Sequence, residues 1–553
     1  MVDEHVGRVQ KLNVPRLNVG VFVDCVNQVS SFPAPILASW PGSTIVRAMT
    51  LQPSEEKIPA QADASDDDTR GSLSGAVATG LKWKVITMVV SEGTRFGVVL
   101  VLARLLTPRD YGVAAMAMVF AGLITLFTDV GLGAALVQRR TITEQDRSTV
   151  FWMSMAIAAV IVAFTYAVAG EVARFFGQPQ VRSLVIVLSL SFPLAALSQT
   201  QTALLNRKLA YRSLEIRQIV GVLVGAATAL VVAISGGGAW AIVANSLAST
   251  AAATALLWRF SSWRPSLTFS FESLRTMGGF GLKLTGTRLL NYANLNADNT
   301  LVGRFLGATS LGIYGISYNI MFTPLSRINL PIYGVVAPAL ARLQHDPERL
   351  KAAWLRSKRL TATLLNPAFF AILVVAPDLV RVVLPAKWLP AVPVIRLLCL
   401  AGLGHSLTAL NATILQARGH AGTVLRISIF TSIITLGAFA SGLPWGILGV
   451  AGFFAAAKWL LVLPDTWITT RRAEVPLRSA LWASGAMLPF GLASAAAGYG
   501  LQQLLLHAGA PAVVRLLAAG AAVFVVYAGL IYTFVPSFVS EVRGVLSRRR
   551  AGA

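Results

Sequence analysis

The chain has 553 residues, 55% of them hydrophobic and 13% charged, about half the charged share of an ordinary soluble protein, which excludes a string of soluble domains. Its formal net charge of +23 falls in alternate loops instead of along one basic face, and no groove-reading motif accompanies it, which excludes nucleic acid as a partner. Two cysteines, Cys25 and Cys399, and five histidines leave no disulfide framework and no metal-ligand spacing; HExxH, P-loop and GxSxG patterns are absent.

Residues 1–78 stand apart as a leader. The stretch from Leu17 to Val26 is mildly apolar but holds Asn18 and Asp24, so it lacks the clean core of a signal peptide. Residues 53–70 are polar and acidic (Glu55, Glu56, Asp63, Asp66, Asp67, Asp68) and are predicted to be disordered. Met49 offers an alternative start, which would make residues 1–48 an over-extended reading frame.

Beyond the leader, hydrophobic stretches of about 20 residues recur, each long enough to cross a bilayer core of about 30 Å. They fall at 83–106, 113–138, 150–170, 183–204, 218–234 and 239–258. After a loop they continue at 277–304, 312–336, 359–377, 394–416, 424–440, 445–465, 479–500 and 514–535. The expected fold class is an all-α integral membrane protein with about fourteen transmembrane helices.

Orientation follows from the loops. Arg139, Arg140 and Arg147 belong to one set, with Arg207, Lys208, Arg212 and Arg217 in its next loop and Arg259, Arg264 and Arg275 after that. The set goes on through the cluster from Arg342 to Arg359, Arg418 and Arg426, Arg471 to Arg478, and the tail at Arg543 and Arg548–Arg550. Loops of the other set are poorer, and Ser235–Gly238 and Ser441–Trp445 hold no Lys or Arg. The positive-inside rule places the basic loops and both termini in the cytoplasm.

An internal repeat appears at an offset of 200 residues (304 minus 104). Arg104, Leu105, Leu106 and Gly112 stand over Arg304, Phe305, Leu306 and Gly312 without a gap. Each copy ends the first span of a six-helix set, so both sets enter the membrane in the same direction, as parallel repeats with an axis along the membrane normal. The expected organisation is two pseudo-symmetric six-helix lobes around a central cavity, with the substrate site between them. Residues 79–270 form the N-lobe and 271–467 the C-lobe, and 468–553 carry two further helices and a basic cytoplasmic tail.

Residues Leu102 to Gly112 read LARLLTPRDYG and resemble the LARLLxPxDYG signature of polysaccharide flippases, of the lipopolysaccharide and colanic-acid type. These belong to the multidrug, oligosaccharidyl-lipid and polysaccharide exporter superfamily. Asp129–Gln138, Phe151-Trp152, Val302–Gly307 and Leu311–Tyr314 fit the same pattern, and the resemblance covers about residues 80–470. It implies a transporter, not an enzyme, in the bacterial inner membrane. Its cargo would be an undecaprenyl-diphosphate-linked oligosaccharide, moved from the cytoplasmic to the periplasmic leaflet by alternating access for cell-surface or exopolysaccharide biosynthesis. Expected partners are that lipid-linked oligosaccharide, membrane lipids and a polysaccharide assembly machinery. No cofactor or metal is implied beyond a coupling cation or proton.

Ionisable side chains at bilayer depth cost about 2.5–3.5 kcal/mol each on insertion scales and so invite a reason. Glu92 and Arg95, three apart on the first span, share a helical face that Thr87 and Ser91 extend. They read either as an intrahelical ion pair that lets both enter the bilayer or as a lining of the cavity. On the seventh span Lys283, Thr287, Arg288, Asn291, Asn294 and Asp298 fall within one stripe of roughly 140°. Such a stripe must face water or other helices.

For the implied cargo, Arg95, Arg288 and Lys283 are the phosphate candidates, because a guanidinium offers bidentate donors and an ammonium a point charge. Asn291, Tyr292 and Asn294 are candidates for sugar hydroxyls, and Glu92 and Asp298 for a coupling cation, a proton or charge balance. Arg104, Arg304, Asp110 and Tyr111 read as structural, fixing the helix ends and turns. Lys458 and Asp465, two turns apart, are assigned an end-of-helix role. The competing reading is a cation-coupled drug or small-metabolite antiporter of the same superfamily, which has no need of clustered arginines. A membrane glycosyltransferase would need a catalytic carboxylate or a large periplasmic loop, and the longest loop of that side (about 377–393) is short and apolar.

Overall fold

The computed structural model describes residues 66–535 apart from 129–132, 134, 135, 138 and 140, and the side chains of 66–81, 128 and 272–291 are also outside the described set. Most of the expected leader and the basic tail therefore lie outside the described residues. Every regular element described is a helix. The first half holds α1 (Asp66–Leu105), α2 (Pro108–Thr128), α3 (Glu144–Phe176), α4 (Gln180–Ser189), α5 (Ser191–Arg207), α6 (Tyr211–Ile234) and α7 (Trp240–Phe260). Residues 66–70, expected as unstructured, open α1.

The second half begins with α8 (Phe271–Pro324), followed by a π-helical turn (Leu325–Asn329) and α9 (Leu330–Arg342). It continues with α10 (Pro347–Val383), α11 (Ala391–Thr408), α12 (Asn411–Ala417), α13 (Ala421–Gly442), α14 (Gly446–Ala473), α15 (Leu477–Gly485), α16 (Leu488–His507) and α17 (Ala512–Phe534). Among the described residues, 12 helical stretches are long and apolar enough to cross a membrane. The expected number is about fourteen; the seventh and eighth expected spans run together within Tyr292–Arg342, and the eleventh and twelfth within Ala421–Ala473. Both long stretches are interrupted, the first at Gly307 and the second by a single 3-10 turn at Leu443–Trp445.

Local chemistry explains the turn that opens each repeat. Thr107 caps α2: its backbone N–H donates to Asp110 Oδ2 at 2.8 Å, and its hydroxyl accepts from the Asp110 N–H at 3.2 Å. Pro108 comes next at the first helical position, where no N–H is needed. Two hundred residues on, the place of Thr107 is taken by Gly307, whose φ of 82° lies in the left-handed region that favours glycine. Asp110 and Tyr111 thus fix the turn, as expected.

The two repeats pack on one another through those same segments. A Cβ on Gly112 would lie 1.7 Å from the Ala308 carbonyl oxygen, and one on Gly312 would lie 1.8 Å from the Pro108 carbonyl oxygen. Ala308 is offset from Pro108, and Gly312 from Gly112, by the same 200 residues. The contact therefore maps onto itself when the halves are exchanged, as a two-fold relation requires. Around it Val113, Ala117, Val302, Leu311 and Tyr314 form one apolar core that draws on both halves. Trp388 closes the same end of the bundle: its Nε1 donates to the Ala103 carbonyl at 2.9 Å and its ring meets Tyr111 edge-on at 5.3 Å. Lys387 Nζ adds a bond to the Arg104 carbonyl at 2.9 Å, and the Arg304 guanidinium lies over the Phe175 ring at 5.5 Å.

Elsewhere each half packs mainly within itself. In the first, α6 lies between α1 and α7, and α3 is flanked by α4 and α5; in the second, α14 holds α11 and α13 while α10 holds α16 and α17. The halves meet where α8 lies on α2 and α3. The connecting loop 261–270 is strapped to α3: Ser266 N–H donates to Ser148 Oγ at 3.1 Å, Ser270 N–H to Thr149 Oγ1 at 2.9 Å, and Trp152 Nε1 to the Ser266 carbonyl at 2.8 Å.

Candidate functional site

The face predicted on α1 divides in two. Thr87 and Ser91 are buried, in phase with Val98 and Leu102, which pack on the alanines of α6. Their hydroxyls have no partner among the described residues. Glu92 and Arg95 turn away from that seam: Arg95 Nη1 lies 3.7 Å from Glu92 Oε1, the i,i+3 ion pair expected from spacing. Glu92 has a second partner, because Arg327 of the π-helical turn donates to its other oxygen. One carboxylate of the first half is thus shared by a guanidinium from each half. The side chains are 33% exposed at Glu92, 60% at Arg95 and 44% at Arg327.

Arg327 escaped sequence reasoning, although a guanidinium inside the expected 312–336 span was itself the signal. It lies just past Pro324, whose ring removes a helical hydrogen bond, and the chain widens there into a π turn. Such a turn adds a residue to the helical circuit and re-aims the side chains on either side of it. Arg327 meets α1, while Leu325 and Asn329 of the same turn line a cavity within the second half.

Of the stripe expected on the seventh span, Lys283, Arg288 and Asn291 lie outside the described side chains. Tyr292 is placed: its hydroxyl donates to the Val119 carbonyl of α2 at 2.7 Å. Gly122 makes room for it, since a Cβ there would stand 2.3 Å from the phenolic oxygen. Tyr292 therefore ties α8 to α2. Asn294 is exposed and lines the cavity, and Asp298, 2% exposed, lines it too. The carboxylate of Asp298 accepts from Tyr314 Oη at 3.1 Å and from the Asn299 N–H at 2.7 Å.

This cavity, about 260 Å³, is walled by α8, the π turn, α11, α13 and α14. All of its lining belongs to the second half, whereas the sequence led us to expect a site between the halves; the kinked α8 encloses space on its own side as well as facing α2. His405 of α11 and Lys458 of α14 supply its basic groups, and two stacked aromatic pairs, Tyr318–Phe322 and Phe439–Phe454, supply flat apolar wall. Lys458 corrects the end-of-helix expectation. It sits near the middle of α14 with its ammonium 5.1 Å from the Phe454 ring centroid. Asp465 is bonded instead to Asn411 and Thr469. Buried Lys358 donates to Asn411 Oδ1 at 2.8 Å and to the Leu407 carbonyl at 2.6 Å.

These features define a helical membrane transporter fold with two repeat-related halves. The inward closed conformation of the lipid II flippase MurJ superposes with a TM-score of 0.63 at 14% identity, covering 81% of this chain and 99% of that one. Residues 101–393, just over half of the chain, match the polysaccharide biosynthesis protein family, and the chain belongs to that family. This bears out the resemblance read from the LARLLTPRDYG segment. Among its relatives, the lipopolysaccharide biosynthesis protein WzxC of Escherichia coli (strain K12) is 26% identical over 373 residues, 67% of this chain and 76% of that protein. The succinoglycan biosynthesis transport protein ExoT of Rhizobium meliloti (strain 1021) is 26% identical over 466 residues, 82% of this chain and 92% of that protein.

Proposed function

We infer that this chain is a flippase, not an enzyme. It carries an undecaprenyl-diphosphate-linked oligosaccharide across the bacterial inner membrane for cell-surface or exopolysaccharide biosynthesis, with its basic loops and both termini in the cytoplasm. The relatives' names support transport in polysaccharide biosynthesis, and the observation that carries the reading is the Arg95–Glu92–Arg327 cluster. A diphosphate bears more charge than a carboxylate and accepts bidentate bonds from guanidinium groups. It competes with Glu92 for both arginines, and in doing so it replaces a contact that holds the two halves together.

The mechanism rests on that exchange. With the site empty, Glu92 pairs with both arginines, offsetting one of their two charges, and bridges the halves. With a diphosphate bound, the carboxylate is released, the halves rock about the Gly112–Gly312 contact, and the site opens to the far leaflet. The lipid tail stays among acyl chains, against the apolar face of α1 that carries Val89 and Phe96, both more than half exposed. Lys283 and Arg288 are proposed as further phosphate contacts and Asn291 and Asn294 as sugar contacts, on their helical phase. Asp298 is proposed to balance charge or to take the coupling cation or proton.

In a strain whose surface glycan depends on this chain, Arg95→Ala or Arg327→Ala is expected to lower glycan display about tenfold or more, the worth of one charge-assisted hydrogen bond. The amount of inserted protein is expected to stay unchanged. Normal display from both variants would show that the cluster serves only packing.

A further inference from the structure

We propose that the cavity enclosed by the second half is a subsite for a sugar ring bearing a carboxylate, so that the cargo is an acidic glycan. The proposal rests on the flippase reading and specifies its substrate. The cavity combines what a pyranose needs: stacked aromatic faces against the C–H sides of the ring and a few polar groups for its hydroxyls. Two of those polar atoms stand unsatisfied. Asn329 is 9% exposed and its Oδ1 has no hydrogen-bond partner, nor has Thr435 Oγ1, although both line the cavity. Buried polar atoms without partners are costly and mark a place where a ligand's hydroxyls complete the bonding.

Lys458 sets the charge of the ligand. Its ammonium makes no direct ion pair or hydrogen bond with any described residue and lies over the Phe454 ring. The nearest acids accept hydrogen bonds from neutral donors and form no direct ion pair with it, although Asp465 still acts on it through space. Asp298 is held by Tyr314 and Asn299, and Asp465, two turns along α14, by Asn411 and Thr469. His405 adds a ring nitrogen beside Lys458. A sugar carboxylate meets here an ammonium that no carboxylate touches, whereas a neutral sugar leaves that half-buried ammonium without a direct ion pair.

The test uses the full-length chain in lipid nanodiscs and two undecaprenyl-diphosphate disaccharides that differ only in a terminal glucuronate or glucose. Titration by microscale thermophoresis is expected to show the glucuronate form binding about tenfold tighter. In Lys458→Met that preference falls to near unity with affinity for the glucose form retained, and Lys458→Arg restores it. Equal affinity of the unaltered chain for the two lipids, or a preference that survives Lys458→Met, overturns the acidic subsite and leaves the flippase reading standing. Binding of neither lipid overturns both.

Discussion

At the scale of single residues, two glycines decide how the halves meet. Gly112 and Gly312 leave no space for a methyl group, and the atoms in the way are backbone carbonyls, which cannot rotate aside. Gly112→Ala or Gly312→Ala should therefore cost about 1–3 kcal/mol, as overpacking does, and lower the melting temperature of the purified protein. Gly97→Ala on α1 is the control: nothing lies within 4 Å of that position, and alanine is the better helix former there. Equal melting of the Gly112→Ala and Gly97→Ala proteins would mean that the halves are not joined through this contact. Both glycines were legible as repeat partners in the sequence, since the 200-residue offset needs only counting. Their mutual contact was not, because a repeat predicts equivalence and not which surfaces meet.

At the scale of elements, hydropathy located the spans well and their polar faces less well. The first span, expected at 83–106, is the apolar stretch Lys82–Leu105. Within it, spacing paired Glu92 with Arg95, yet it gave Thr87 and Ser91 to the same face when they pack towards α6. A helical wheel orders residues around an axis but leaves open which sector meets a neighbouring helix. Arg327 was missed and Lys458 misplaced for a related reason: a π turn and a cavity are tertiary facts, and charges inside apolar spans read alike whether they cap, pair or line. The last two helices show a further device. Arg515 of α17 donates to Asp378 of α10 at 2.8 and 3.1 Å, and Gln502 of α16 to the same carboxylate at 2.6 Å. Arg515→Ala is expected to release this hairpin, so amide exchange around Ala508–Pro511 should quicken while α1 and α2 are unaffected. Unchanged exchange there would show that apolar packing alone holds α16 and α17.

At the scale of the whole molecule, a seam, a bridge and a cavity lie in sequence. Repeat-related glycines give a rigid seam at one end of the bundle, a shared carboxylate bridges the halves farther along α1, and a kinked α8 walls a cavity beside that bridge. In the proposed mechanism transport uses the difference between seam and bridge, because the seam is backbone against backbone while the bridge is an ion pair that an anionic cargo would displace. The proposed flipping reaction is open to direct measurement. Full-length chain is reconstituted into liposomes with a fluorescent undecaprenyl-diphosphate oligosaccharide in both leaflets, and a membrane-impermeant reductant is added outside. The account predicts that the fluorophore in protein-containing vesicles is quenched beyond the outer-leaflet share, and more slowly when Arg95 and Arg327 are both alanine. If the inner-leaflet fluorophore stays as protected as in protein-free vesicles, the chain does not flip this lipid.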